Sequence, residues 1–229
     1  MTRATSSLAV LQKRITQCRA CPRLVAWREE VAATKKAAFS NEDYWGRPVP
    51  GFGDPDARVL IWGLAPAAHG ANRTGRMFTG DQSGLWLYRA LHRAGFANQP
   101  NSDHRGDGLQ LKGCYITATA RCAPPGNKPL PEEIANCSSF LDEELALLRN
   151  VRLVVALGKI AWDSYLAWVQ RTGQPVHRPR PRFGHLARVE HGLPHVLVGS
   201  FHPSQQNTFT GKLTEPMLDA VFAWVRDAR

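Results

Sequence analysis

Four short runs of apolar residues, each almost unbroken by a polar side chain, constrain this chain more than any other feature. They are residues 58–64 (RVLIWGL), 114–119 (CYITAT), 153–157 (LVVAL) and 195–200 (HVLVGS). A strand with one wet face alternates apolar and polar residues, so a continuous run calls for cover on both faces, as in a parallel sheet. The intervening segments supply that cover. Pro131 opens a helical pattern with Glu132 and Glu133 in its first turn and Ile134, Cys137, Leu141, Leu145 and Leu148 on one stripe. A second helix is expected from Gly158 to about Gln170. A third starts at a Thr214 cap and carries Met217, Leu218, Val221, Phe222 and Val225. Strands alternating with helices predict an α/β fold, a three-layer α/β/α sandwich around a central four-stranded parallel sheet. Function is then expected in the loops after residues 64, 119, 157 and 200, at the carboxyl ends of the strands.

With 229 residues, 43% of them hydrophobic, the chain is expected to form one domain spanning 1–229. Neither an internal repeat nor an interdomain linker is visible. The polar segment 98–108 and the Pro/Arg-rich segment 174–183 are expected to be surface excursions. The excess of 29 Lys and Arg over 19 Asp and Glu, a formal charge of +10, favours a polyanionic partner, above all a phosphate backbone. A membrane surface is the rival polyanion. No apolar run approaches the roughly 18 residues of a spanning helix, and the N-terminal stretch lacks a secretory pattern, so a cytoplasmic location without a membrane partner is expected.

That location bears on the five cysteines, because a reducing compartment disfavours structural disulfides. Cys18 and Cys21 form a C-x-x-C followed at once by Pro22. Cys122 and Cys137 lie far downstream, with fourteen residues between them. Two thiolate pairs brought together satisfy either a [4Fe–4S] cluster or tetrahedral zinc, and spacing alone does not separate the two. Cys114 begins an apolar run and is assigned to the core.

Two loops carry the candidate chemistry. The first, 63–84, reads GLAPAAHGANRTGRMFTGDQSG. Its glycines and alanines, among them Gly63, Ala65 and Ala67, allow close backbone approach to a ligand, and Ser83 can cap a helix starting near Leu85. The Gly-Lys-Ser/Thr ending of a nucleotide-binding Walker loop is absent. Phe78 can stack on a planar base or simply fill the core. Asp81, three residues on, can serve chemistry or merely cap a helix. The second loop begins at Ser200 and reads SFHPSQQNTFTGK. A neutral His202 at a strand end can donate a hydrogen bond to a carbonyl oxygen that gains negative charge. Ser204, Gln205, Gln206, Asn207 and Lys212 offer contacts to DNA, and Phe209 can wedge a base step.

Taken together, C18-x-x-C21-P22, the 63–84 loop, the RCAPP segment with Asn127 and Pro129, Cys137, and the 202–214 loop resemble the uracil-DNA glycosylase superfamily. The likeness is to its iron–sulfur family 5 (type b) members, and it extends over nearly the whole chain. The resemblance implies a [4Fe–4S] cluster on Cys18, Cys21, Cys122 and Cys137. It places the polar work on Asp81, Asn127 and His202, although an Asn inside PPGNKP ordinarily just forms a turn. Related families carry a polar residue for the attacking water in the first motif. Leu64 and Ala65 occupy that neighbourhood here.

The implied activity is monofunctional removal of uracil, with other deaminated or modified bases also accepted, from double-stranded DNA by a monomeric enzyme that leaves an abasic site. The base must be flipped out of the duplex. In this scheme Phe78 stacks on it, His202 stabilises the departing anion, Asp81 orients water, and the 202–214 loop fills the vacated stack. No lysine in these motifs suits a Schiff base; Lys159 follows a strand and is expected to be exposed or phosphate-facing. The competing expectation is a non-catalytic iron–sulfur nucleic-acid-binding module. A zinc deaminase would need an H-x-E and a P-C-x-x-C, and neither occurs.

Overall fold

The computed structural model describes residues 7–174 and 178–228. Residues 1–6 of the N-terminal stretch and 175–177 of the Pro/Arg-rich segment lie outside the described residues. Eight α-helices and six strands are formed among those described: α1 (Leu8–Thr16), α2 (Pro22–Thr34), β1 (Phe52–Gly53), β2 (Val59–Gly63), α3 (Ala71–Thr74), α4 (Gln82–Arg93), β3 (Cys114–Ala118), α5 (Pro131–Leu147), β4 (Leu153–Leu157), α6 (Lys159–Arg171), β5 (Arg188–Val189), β6 (Val196–Ser200), α7 (Gln205–Phe209) and α8 (Glu215–Asp227).

All strands join one sheet in the order β1-β3-β2-β4-β6-β5. The four apolar runs form its parallel centre, with Val59 opposite Cys114 and Leu153, and Leu153 opposite Val196. The expected four strands are therefore extended to six by β1 and β5, antiparallel edges of two residues each. A two-residue strand is too short for any hydrophobic period to show.

Cover on both faces explains the unbroken apolar runs. Val59, Ile61, Ile116, Val155 and Val198 pack with Leu87 and Leu91 of α4 and with Leu218, Val221 and Phe222 of α8. On the opposite face Leu60, Trp62, Val154 and Leu197 pack with Leu141 of α5 and with Trp162, Leu166 and Val169 of α6. Cys114 is fully buried in the first of these cores, as expected.

Local chemistry sets the helix starts. Thr214 caps α8 by accepting from the Met217 N–H at 3.4 Å. Pro131 opens α5, and the Glu133 carboxylate reaches back to the Leu130 N–H at 2.7 Å. The cap of α4 is Asp81 rather than Ser83, which lies one residue inside the helix. A carboxylate completes the cap and also favours the positive helix end, so it outcompetes the hydroxyl.

The chain leaves β2 for β3 on one side, then crosses to β4 on the other, so the loops after β2 and β4 diverge and open a crevice at their carboxyl ends. Helix α8 covers one face of the sheet that carries these loops. Phe222 is fully buried, and Phe222→Ala is expected to cost about 3–5 kcal/mol in denaturant unfolding while leaving the order of the strands unchanged.

Candidate active site

The loop after β2 doubles back so that Phe78 returns to the strand end it left. An ideal Cβ on Gly63 would sit 3.2 Å from the Phe78 ring, so only glycine accepts the ring there without displacement. Phe78 itself has φ 52°, a left-handed conformation rare for an aromatic residue and costing about 1–3 kcal/mol. Such strain persists only where the surroundings enforce it.

Two buried arginines provide that enforcement. Arg73, at 6% exposure, donates from Nε to the His69 carbonyl at 2.8 Å and from Nη2 to the Gly80 carbonyl at 2.7 Å, and it also pairs with Glu42. Arg76 forms a two-pronged pair with Asp107 at 2.8 and 2.6 Å and also binds Thr79 and Ser102. Burial raises the Asp107 pKa. The hydrogen bonds and charge of Arg76, with N–H groups of Leu109 and Asp103, more than reverse this and hold the carboxyl well below its usual range. Tyr88 adds a hydrogen bond from its hydroxyl to the Met77 carbonyl at 2.8 Å. The segment 98–108, expected to be a plain surface excursion, thus contributes buried Ser102 and the carboxylate that clamps the turn carrying Phe78.

Against this platform stands His202. Its ring centroid lies 5.9 Å from that of Phe78 with the planes 34° apart, and its Cβ would be 3.4 Å from a Cβ placed on Gly158, just past β4. The loops after β2, β4 and β6 therefore converge at His202. Burial lowers its pKa to about 4, so the imidazole is neutral at ordinary pH and offers an N–H donor.

Asp81 is half-buried and accepts from the Gly84 N–H at 2.8 Å. Burial raises its pKa, and the Gly84 and Ser83 N–H groups and the Arg73 charge offset part of that. Its second oxygen would lie 2.1 Å from a Cβ on Gly70, so the backbone of the first motif passes directly against this carboxylate. The capping role and a chemical role are compatible, since Gly84 engages one oxygen.

Other residues singled out in the sequence are placed differently. Ala65 and Ala67 are half-buried between Gly63 and Gly70. Asn127 is exposed, with φ 58°, at the end of the 3-10 turn Pro125–Asn127. No hydrogen bond joins its side chain to another described residue, and the structure does not bring it against Phe78, Asp81 or His202. The polar loop after His202 is a short helix, α7, capped by the Ser204 hydroxyl. Asn207 turns inward and donates to the His202 carbonyl at 2.8 Å. Gln205, Gln206 and Lys212 remain exposed, Lys212 Nζ lying 5.2 Å from the Phe201 ring centroid. Phe209 is 76% exposed at the helix end. Lys159 is exposed and paired with Asp163.

The four cysteines meet elsewhere. Cys18 follows α1, Cys21 caps α2, Cys122 follows β3 and Cys137 lies in α5, and all four line one small pocket as free thiols. Among the described residues they do not converge on one point as ligands of a single ion would. They ring a space instead. Arg28 and Arg121, 2% and 1% exposed, line the same pocket, and the Arg28 Nε and the Arg121 Nε and Nη1 have no described partner. Arg121 is already paired with buried Glu144 at 2.6 Å, whereas Arg28 donates to Cys122 Sγ at 2.9 Å with no described buried carboxylate beside it, so its charge calls for an anionic tenant and a thiolate-bound cluster fits that demand.

A model of the uracil DNA glycosylase superfamily matches residues 50–226, and the chain belongs to that superfamily. Its curated relatives point to one branch. A type-5 uracil-DNA glycosylase of Mycobacterium bovis is 55% identical over 217 residues, covering 94% of this chain and 80% of that protein. The Mycobacterium leprae relative of the same description is 54% identical over 226 residues, 97% and 95% of the two chains. That of Thermus thermophilus is 52% identical over 209 residues, 89% and 90%. A type-4 uracil-DNA glycosylase of Thermotoga maritima reaches only 29% over 160 residues. The branch is thus type 5.

The closeness of Gly70 to Asp81 gives a direct check on the site. Gly70→Ala is expected to displace the carboxylate and lower turnover at least about tenfold, with a thermal midpoint within a few degrees of the parent. Parental turnover in a folded variant contradicts this placement of Asp81.

Proposed function

We propose that the protein excises uracil from DNA by hydrolysing the N-glycosidic bond and leaves an abasic site. The observation that carries this reading is the Phe78–His202 pair, a strained aromatic platform facing a neutral imidazole at the sheet's crevice. A flipped base stacks on Phe78, and unstacking it from the duplex costs a few kcal/mol. As the bond breaks, negative charge collects on uracil O2 and positive charge on the sugar. His202 donates its N–H to O2 without changing protonation state, while the Asp81 oxygen not held by Gly84 orients water and faces the sugar cation.

The DNA-facing roles fall to Gln205, Gln206 and Lys212 on and beyond α7, with exposed Phe209 entering the vacated stack. Ser204 and Asn207 act by shaping that element. Asn127 presents a free amide on its exposed turn and contributes only once DNA brings the base edge to it. The apolar stretch Gly63, Ala65 and Ala67 reads few polar features of the base, which supports acceptance of other deaminated or modified bases in double-stranded DNA. Exposed Lys159, already paired, supports monofunctional chemistry without a Schiff base. We further propose a [4Fe–4S] cluster held by Cys18, Cys21, Cys122 and Cys137, which ties α1 and α2 to the loop after β3 and to α5. The four thiols line a space rather than meeting at one point, which supports a cluster over a single zinc ion. The protein acts as one domain and as a monomer in the cytoplasm; no described helix is long and apolar enough to cross a membrane.

His202→Ala is expected to lower kcat on a uracil-containing duplex about a hundredfold. With the parent imidazole already neutral, the loss should be equal at every pH from about 8 down to about 5. A loss confined to acid pH means that His202 acts as a cation and contradicts the reading. Burial raises the Asp81 pKa from its ordinary value, so the acid limb of the parent's kcat profile should be shifted upward and should vanish in Asp81→Asn. An unchanged acid limb in that variant assigns it to another group.

A further inference from the structure

Arg28 is the most unusual side chain outside the base-facing crevice. Its guanidinium is 2% exposed, and the nearest carboxylate is half-exposed Glu29 at 3.8 Å. It is held instead by two of the four cysteines. Nη1 donates to Cys122 Sγ at 2.9 Å, and Nη2 donates to the Cys18 carbonyl at 3.2 Å. The main chain of the same residue grips a different part of the molecule. The Arg28 carbonyl accepts from Asn72 Nδ2 at 3.3 Å.

Asn72 is fully buried in α3, where its N–H donates to the Ala67 carbonyl at 3.0 Å and its carbonyl accepts from the Gly46 N–H at 3.0 Å. Its neighbour Arg73 holds the His69 and Gly80 carbonyls that bracket the turn carrying Phe78. Direct bonds therefore run from Cys18 and Cys122 through one arginine into the frame that positions Phe78 and Asp81.

We propose that Arg28 is a positioning residue that couples the four-cysteine pocket to the base-facing turn, its side chain gripping Cys122 and Cys18 while its carbonyl grips Asn72. The physical reason is the cost of a buried cation. With an anionic cluster beside it, the guanidinium is satisfied inside the pocket. Without one, the charge is drawn out to water, α2 shifts with it, and the Asn72 contact loosens. The occupancy-dependent part of this rests on the cluster reading above, whereas the bonds through Arg28 do not.

The test is hydrogen–deuterium exchange of residues 70–81 in the purified, iron-loaded protein, read beside visible iron–sulfur absorbance. Arg28→Gln is expected to raise exchange there about tenfold and to lower kcat with little change in KM. Asn72→Ala should loosen the same segment with full absorbance, which separates the link from cluster loss. Stripping iron with a chelator should loosen 70–81 in the wild type but add little in Arg28→Gln. Unchanged exchange in both variants overturns the proposal. So does chelator-induced loosening of equal size in wild type and Arg28→Gln. A wild type colourless as purified overturns the cluster reading alone, and the exchange of Arg28→Gln then decides whether Arg28 holds the turn.

Discussion

The buried ion pair between Arg76 and Asp107 is the interaction on which the crevice depends. The side chains are 4% and 8% exposed, and the pair spans the turn after β2 and the loop before β3. Removing one partner of such a pair costs about 3–5 kcal/mol because the other charge is left buried. That energy exceeds the strain of one left-handed aromatic residue. Phe78 can therefore stay in a conformation that a free loop would abandon, its half-buried ring packed against the core and turned towards His202 at the crevice.

The sheet contributes position in a different way. Its parallel centre, covered on both faces, gives three loops a common rigid base, and the change in direction between β2 and β4 leaves room between them. Gly63, Gly158 and His202 sit at the three strand ends. The proposed chemistry asks for little proton movement at this point. A neutral imidazole and a half-buried carboxylate suit a reaction in which charge separates and must be stabilised at both ends. The cysteine pocket lies where α1, α2, the loop after β3 and α5 meet, and Arg28 links it to the frame of the turn that carries Phe78.

Much of this fold was legible because its signals are local. The apolar runs marked the parallel strands, and Pro131 and Thr214 marked helix starts, since each depends on neighbours a few residues away. The edge strands were illegible because two residues carry no period. Helix α7 was hidden for a similar reason, its five residues being polar enough to read as loop. Ser83 and Asp81 both offer a cap at this helix start, and the carboxylate's added electrostatic advantage, which decides between them, carries no local pattern. Glycine bracketing and position at a strand end drew attention to Phe78 and His202, while local sequence left Asp81 open between a cap and chemistry, and their proposed roles come from the family resemblance. Arg73, Arg76 and Arg28 could not be assigned, because their partners lie far away in sequence and a basic chain offers many arginines. The partner of Arg76, Asp107, sits in a segment whose composition signals only a loop.

The central claim is that a neutral His202 facing Phe78 receives the base. Nitrogen-15 NMR of the His202 ring, with free uracil titrated at neutral pH, addresses it most directly. The account predicts a neutral tautomer before addition and a saturable shift of its protonated nitrogen as uracil binds, abolished in Gly63→Val, where the ring of Phe78 is displaced. An imidazolium signal at neutral pH, or a ring indifferent to uracil, would contradict it.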